Sequence, residues 1–364
     1  MNYPVLYQWQ EEIATHLTSL NSWQIANIAL FTLGVMRAES CQQQQIARAV
    51  ITGEQVESCC RRWRRFTANT AFPLIPFFGD WSGWVVRQLK LKKVILLVDE
   101  TKLQDRIGAL VVGVAWEGRC IPLAWRCYIA DQKEAYPAEG QVKVIESLLQ
   151  HVQAGLPPES EVVVLADRGI GNSSDLCRAI IRLGWYYLFR VTANSKIVLP
   201  KAMPRIVDLV ERGQSRSVEG TLFSSTGGFV GWAHALWDAD HEEPWALVTN
   251  DPALSGWEYA QRNWEEQGFR DLKSGGWQWQ ASRIRQPAHV ERLLVILAIA
   301  YGWCLALGGI AVQEGSARKP LQQVDGTMRR YWSLFKEGIA FFFEQVQRYG
   351  RYFGLCFYAD SRFT

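Results

Sequence analysis

The sequence predicts an α/β protein: a mixed sheet flanked by helices, preceded by a helical region and interrupted by a small β insertion. Three observations carry that prediction. Residues 94–98 and 162–165 are short continuous aliphatic runs, the pattern of strands buried on both faces, and each leads to an aspartate, Asp99 and Asp167. The segments around them follow the order strand, hairpin, helix, strand, helix, strand, as in a mixed sheet. The stretch YAQRNWEEQGFRDLKSGGW, residues 259–277, then has a helical period with one charged side and one apolar side.

With 364 residues and 48% hydrophobic content the chain can bury a large core, which excludes a disordered protein, and its length suggests two or three domains. A net charge of +3 and a pI of about 8.4 permit a nucleic-acid partner without arguing for one, so any basic surface has to be local. Seventeen tryptophans suit core packing or base stacking. The eight cysteines and five histidines are scattered, and Cys59-Cys60 and Cys120/Cys127 form no CxxC pair or Cys/His cluster of the kind structural zinc needs. Reduced thiols in a cytosolic protein fit that spacing. The N-terminal MNYPVLYQWQEE has no basic stretch followed by an apolar run, so no secretion signal is expected. LLVILAIAYGWCLALGGI, residues 293–310, is uncharged over 18 residues, the lower limit for a membrane span. Its three glycines and the charged residues before it favour a helix buried at the centre of a domain.

Residues 1–90 read as mostly helical, through IANIALFTLGVM and QQQQIARAVITG. The cluster CCRRWRRF puts Arg61, Arg62, Arg64 and Arg65 around Trp63, a contact set for a phosphate backbone; a solvated helix face with Trp63 and Phe66 turned inward gives the same pattern. Residues 69–78, with Pro73 and Pro76, are expected to break the chain before the next unit. KKVILLVDETKL is the first strand, with Asp99 at its C-terminal end, and IGALVVGVAWEG and RCIPLAWRCYI form a hairpin turning at Glu117-Gly118. EAYPAEGQVKVIESLLQHV is helical, EVVVLADRG repeats the strand-then-aspartate pattern, SSDLCRAIIRLG is a helix with a serine/aspartate start, and WYYLFRV is a strand. Residues 194–250 read as the β insertion, and YWSLFKEGIAFFFEQVQRY as a helix packed on the body or on another subunit.

At about 100° per residue, Arg262, Glu266 and Lys273 fall at roughly 300°, 340° and 320° from Tyr259, a stripe about 60° wide. Trp257, Trp264, Phe269 and Leu272 lie on the opposite side, and so does Glu265, near roughly 240°. Of the two adjacent acids, Glu266 is therefore the one placed among the cations. Acids at strand ends of an open sheet stand where ligands bind. Asp99, Asp167 and Glu266 together suit two hard divalent cations such as Mg²⁺, which take oxygen ligands and serve phosphoryl displacement.

The spacing Tyr259-x2-Arg262-x3-Glu266-x6-Lys273 resembles the YREK signature of the insertion-sequence-four family of bacterial DDE transposases. LLVDETKL, VVVLADRGIGN, WALVTN and FRDLKSGGWQWQASRI are similar to the surroundings in that family, over residues 90–310 and more weakly before them. The resemblance implies an RNase H-like catalytic core over residues 91–312 with the β insertion at 194–250, an N-terminal helical DNA-binding region over 1–90, and a C-terminal helical region over 313–364 with a part in dimerisation. It implies that Asp99, Asp167 and Glu266 hold two Mg²⁺ ions, with Mn²⁺ as a substitute, for cleavage and joining of transposon-end DNA by phosphodiester hydrolysis and transesterification. Tyr259, Arg262 and Lys273 would hold phosphates at the element's end, and a flipped base would stack on an aromatic of the insertion, Trp232 or Trp237.

The implied partners are double-stranded DNA, as terminal inverted repeats and target, and a second copy of the chain in the synaptic complex, in the bacterial cytoplasm. The chain departs from the family pattern at Glu100, expected to form a salt bridge on the opposite side of the strand, and at Ile170, expected to pack. A metal-dependent nuclease without strand transfer, and a domesticated DNA-binding derivative, are the rival readings.

Overall fold

The computed structural model describes residues 3–50, 55–104, 106–323, 327–360 and 362. Five helices come first: α1 (Tyr3–His16), α2 (Ser22–Ala38), α3 (Gln43–Val50), α4 (Val56–Thr67) and α5 (Leu74–Leu89). Asn21 and Gln24 close a reciprocal capping box at the start of α2. The last residues of the helix expected from QQQQIARAVITG, 51–53, lie outside the described residues. The expected break at 69–78 is shorter than predicted: α5 begins at Leu74, because Pro76 falls in its first turn, where no backbone N–H is needed.

Eight strands follow: β1 (Lys93–Leu103), β2 (Ile107–Trp116), β3 (Arg119–Ile129), β4 (Glu161–Ala166), β5 (Tyr186–Arg190), β6 (Ser215–Leu222), β7 (Phe229–Leu236) and β8 (Trp245–Thr249). They form one mixed sheet in the order β3-β2-β1-β4-β5-β8-β7-β6, with β1, β4 and β5 mutually parallel and the rest antiparallel. This is an RNase H-like arrangement, and the β insertion extends the same sheet. The β2–β3 hairpin turns at Glu117 (φ 48°) and Gly118 (φ 79°), the two left-handed positions of a tight hairpin turn. Asp99 is not at the end of its strand, as expected, but inside β1, which runs on to Leu103 because it continues to pair with β2 after its pairing with β4 stops at Val98↔Ala166.

Helices α6 (Gln141–Gln153), the short α7 (Arg168–Gly171) and α8 (Ser174–Arg182) connect the parallel strands. Period-2 alternation separates the faces. Val94, Leu96, Val98, Val162 and Val164 join the main core with α1–α6, whereas Ile95, Leu97, Val163 and Leu165 form a second cluster with Tyr259, Trp245 and Trp264. Asp99 continues the Ile95/Leu97 side and Asp167 the Val163/Leu165 side.

The stretch expected to keep one helical period over 259–277 has two forms, a 3₁₀ turn at Trp257–Arg262 and then α9 (Asn263–Leu272), with Lys273 already non-helical (φ −92°, ψ −129°). The 3₁₀ start turns Trp257 out to 45% exposure instead of into the core. Helix α10 (Pro287–Gln313) contains the apolar run. It is long and apolar enough to cross a membrane, yet that window is entirely buried inside the protein, as expected of a central core helix. The C-terminal segment forms α11 (Leu334–Phe341) and then a π-helical turn, Phe342–Arg348, and packs on α10: the Cys304 thiol donates to the Phe335 carbonyl at 3.2 Å.

Candidate active site

The two aspartates are held in the same way. Asp99 Oδ1 accepts from the Glu100 N–H at 2.8 Å, leaving Oδ2 to face the Arg262 guanidinium at 2.9 Å. Asp167 caps α7, its Oδ1 accepting from the Gly169 and Ile170 N–H groups at 2.9 and 3.1 Å, and its Oδ2 lies 3.7 Å from the same guanidinium nitrogen. The other terminal nitrogen of Arg262 donates to Glu266 Oε1 at 2.6 Å. One guanidinium thus collects a free oxygen from each of the three acids picked out in the sequence.

The electrostatics follow from that crowding. Burial pushes the Asp99 carboxyl up to about 6; Arg262 and the Glu100 N–H oppose the rise, and the Asp167 and Glu266 charges add to it. Burial acts to lower the Arg262 pKa, but the carboxylates around it, Asp99 foremost, leave it raised. Glu265 is fully buried, as its place on the helix predicts, and neither of its oxygens has a hydrogen-bond partner; the Nε of Arg262 is also unpaired. Burial and then the Asp99 charge hold the Glu265 carboxyl well above the usual range.

Three of the four side chains on the predicted charged stripe meet. Tyr259, Arg262 and Glu266 line a cleft of about 410 Å³ together with Asp167, Arg190 and Trp245. In the 3₁₀ turn Tyr259 and Arg262, three residues apart, eclipse each other. Tyr259 is buried edge-on to Trp245 at 5.2 Å, and burial pushes its phenol up to about 12, so it stands as a neutral donor. Lys273 does not line this cleft, because the helix ends before it. Its ammonium donates to Thr101 Oγ1 at 2.6 Å and to the Lys102 carbonyl at 2.9 Å, farther along β1 from Asp99, and burial lowers its pKa.

The remaining residues singled out in the sequence lie elsewhere. Trp63 and Phe66 face the core, Arg61 and Arg65 are exposed, Arg62 donates to Asn27 Oδ1 at 2.6 Å, and Arg64 pairs with Glu57 at 2.7 Å. Trp232 is half-buried on β7, and Trp237 packs against the main core while donating to the His241 carbonyl at 3.1 Å; neither lines the cleft. Glu100 makes no ion pair among the described residues. It lies beside the Tyr128 and Tyr136 phenols, because that side of β1 offers it aromatic neighbours. Ile170 is buried, as expected of a packing residue.

Arg190 and Trp245 are among the cleft residues that escape the sequence reading, with Arg168 and Glu243. Arg190 ends β5, beside β4, so the strand-end reasoning that found Asp167 reaches it as well. Trp245 opens β8, and its place becomes visible only once β8 pairs with β5.

The donor set suits a hard divalent cation: carboxylate oxygens only, held around a positive charge, with Asp99 carrying a raised pKa. Among the described residues no group of three or more acids, histidines or cysteines is gathered closely enough to hold an ion as it stands. Glu266 is the adjustable member, its side chain 58% exposed.

No curated protein matches the sequence. Residues 133–303 match the family model described as Transposase DDE domain, a span that includes Asp167 and Glu266 and begins after Asp99, and this match supports a DDE transposase family for the chain.

Proposed function

We propose that the chain is a DNA transposase of the insertion-sequence-four type, cutting and joining the ends of its own element. The observation that carries this reading is the convergence of Asp99, Asp167 and Glu266 on one guanidinium, that of Arg262, at a cleft also lined by Arg168, Arg190, Tyr259 and Trp245. These three carboxylates are the residues that would hold the divalent cations, Mg²⁺ or Mn²⁺. When bound, the ions supply an activated water or 3′-hydroxyl and charge stabilisation on the phosphodiester.

The chain's own residues supply the rest. The backbone N–H groups at Glu100, Gly169 and Ile170 fix one oxygen of each aspartate, so the other is presented without loss of side-chain freedom. Arg262 is raised in pKa and so stays cationic, suited to a phosphate oxygen once it leaves the acids. Tyr259 adds a neutral O–H, and Lys273 holds an ammonium near β1 for the strand beyond the scissile bond. Trp245, at the cleft wall, is the better-placed indole for an unstacked base than Trp232 or Trp237. A dimer holding both element ends completes the proposal.

The test is incubation of the protein and Mg²⁺ with a plasmid carrying the DNA that flanks its gene. Cleavage at the element's ends with joint molecules to target DNA is the expected product. Nicks without any joints would assign the chain to the nuclease reading, and intact plasmid with bound protein to the DNA-binding one.

A further inference from the structure

Arg262 is placed more like a bound cation than like a structural arginine. Its two terminal nitrogens reach Asp99 Oδ2 at 2.9 Å, Asp167 Oδ2 at 3.7 Å and Glu266 Oε1 at 2.6 Å, and among the described residues its side chain has no other hydrogen-bond or ion-pair partner. Its Nε is buried and unpaired. A guanidinium braces a fold best when its Nε is paired too, because a buried donor left unmade costs stability. Arg119 has that arrangement, with its Nε on Asp271 at 2.5 Å and a terminal nitrogen on the Gly118 carbonyl at 2.9 Å.

Asp99 Oδ1 and Asp167 Oδ1 are taken by backbone N–H groups, so the aspartate oxygens facing Arg262 are the ones that would ligate a divalent cation. The two uses exclude each other. A carboxylate oxygen reaches Mg²⁺ at about 2.0–2.1 Å. A guanidinium instead holds its oxygens at hydrogen-bond distance across the width of its plane, and among the described residues the acids are too far apart to share an ion while it does so. The guanidinium also has somewhere else to go. Its side chain springs from the 3₁₀ turn Trp257–Arg262 and lines a cleft into which Arg168 and Arg190 draw an anion.

We infer that Arg262 is a built-in competitor of the divalent cation: its guanidinium occupies the three carboxylates, a phosphate in the cleft draws it off, and the acids close on an ion at its expense. The inference rests on the divalent-cation reading above and adds to it that phosphate and metal help each other in. Such coupling is reciprocal, so a bound ion also frees Arg262 for the phosphate.

The test titrates Mn²⁺ into the whole, DNA-free chain and reads the free ion by electron paramagnetic resonance. Arg262→Gln should bind Mn²⁺ about 10-fold more tightly than wild type, within the range usual for coupled sites. Arg262→Lys keeps a charge for folding but not the planar fork that reaches Asp99 and Glu266 together, and should tighten binding by a smaller factor. With a duplex of the DNA that flanks the gene in both samples, the gap between Arg262→Gln and wild type should close. Variants that keep their fold by circular dichroism and bind Mn²⁺ no more tightly than wild type overturn the competition, and a gap that persists with the duplex overturns its link to DNA. Wild type and variants that all fail to bind Mn²⁺ overturn the cation reading itself.

Discussion

Asp99 and Asp167 each commit one oxygen to backbone N–H groups and leave the other to face Arg262, so an amide at position 167 separates the two jobs. Asn caps a helix about as well as Asp, and Asp167→Asn should therefore leave the melting temperature and DNA binding nearly unchanged. It should lower Mg²⁺-dependent cleavage by at least about 100-fold, the scale on which removing one transition-state interaction acts; cleavage at the wild-type rate would remove Asp167 from the site. Glu265 shows the opposite balance, a buried carboxyl with neither oxygen paired. Glu265→Met should raise stability by roughly 1–3 kcal/mol in a denaturant titration, since an unsatisfied polar group costs about that much. A loss of stability would mean that Glu265 has a partner inside the fold. The helical period alone distinguishes these neighbours, putting Glu265 inside and Glu266 out. It fails for Trp257 and Lys273, because a periodicity argument assumes one helix type throughout, and here a 3₁₀ turn precedes α9 and the helix stops at Leu272.

Helix α9 can deliver Glu266 only if it lies close on the sheet, and Gly268 is where it touches. A Cβ built there would stand 2.8 Å from the Cys120 carbonyl oxygen on β3, so Gly268→Ala should cost about 1–3 kcal/mol by overpacking, measured as a lower denaturation midpoint. Helix α10 meets the same sheet through Glu291, which accepts the Cys127 N–H at 2.9 Å, and burial raises the Glu291 carboxyl above its ordinary 4.5. An acid whose folded pKa is raised keeps its proton in the folded state after the unfolded chain has lost it. Stability contributed at this position is thus greatest below pH 4.5 and declines as pH rises through the folded value. Glu291→Gln keeps an acceptor and removes the proton. Its melting temperature relative to wild type should rise between about pH 4 and pH 7; a difference independent of pH would contradict the shift. The strands and most helices are legible because their apolar periods and caps are local. The run of β1 past Asp99 is not, since it depends on a partner strand, β2, that the period of β1 does not contain.

At the scale of the molecule, one sheet with two differently used faces explains both the core and the site. Val94, Leu96, Val98, Val162 and Val164 face the large helical core, whereas Ile95, Leu97, Val163 and Leu165 face Tyr259, Trp245 and Trp264, and Asp99 and Asp167 come next in line on that second side. The acids at 99, 167 and 266 are legible as a set because strand alternation and helix period each fix a side. Arg190 and Trp245 are hidden because strand order brings them into place. The central claim is that Asp99, Asp167 and Glu266, and not Glu265, form a divalent-cation site. Electron paramagnetic resonance of Mn²⁺ titrated into the DNA-free protein tests it most directly, comparing wild type with Asp99→Asn, Asp167→Asn, Glu266→Gln and Glu265→Gln. The account predicts bound Mn²⁺ in the wild type and in Glu265→Gln, with binding weakened about 10-fold or more in the other three, as loss of a charged oxygen ligand requires. Wild-type binding that survives Glu266→Gln but is lost in Glu265→Gln would contradict it.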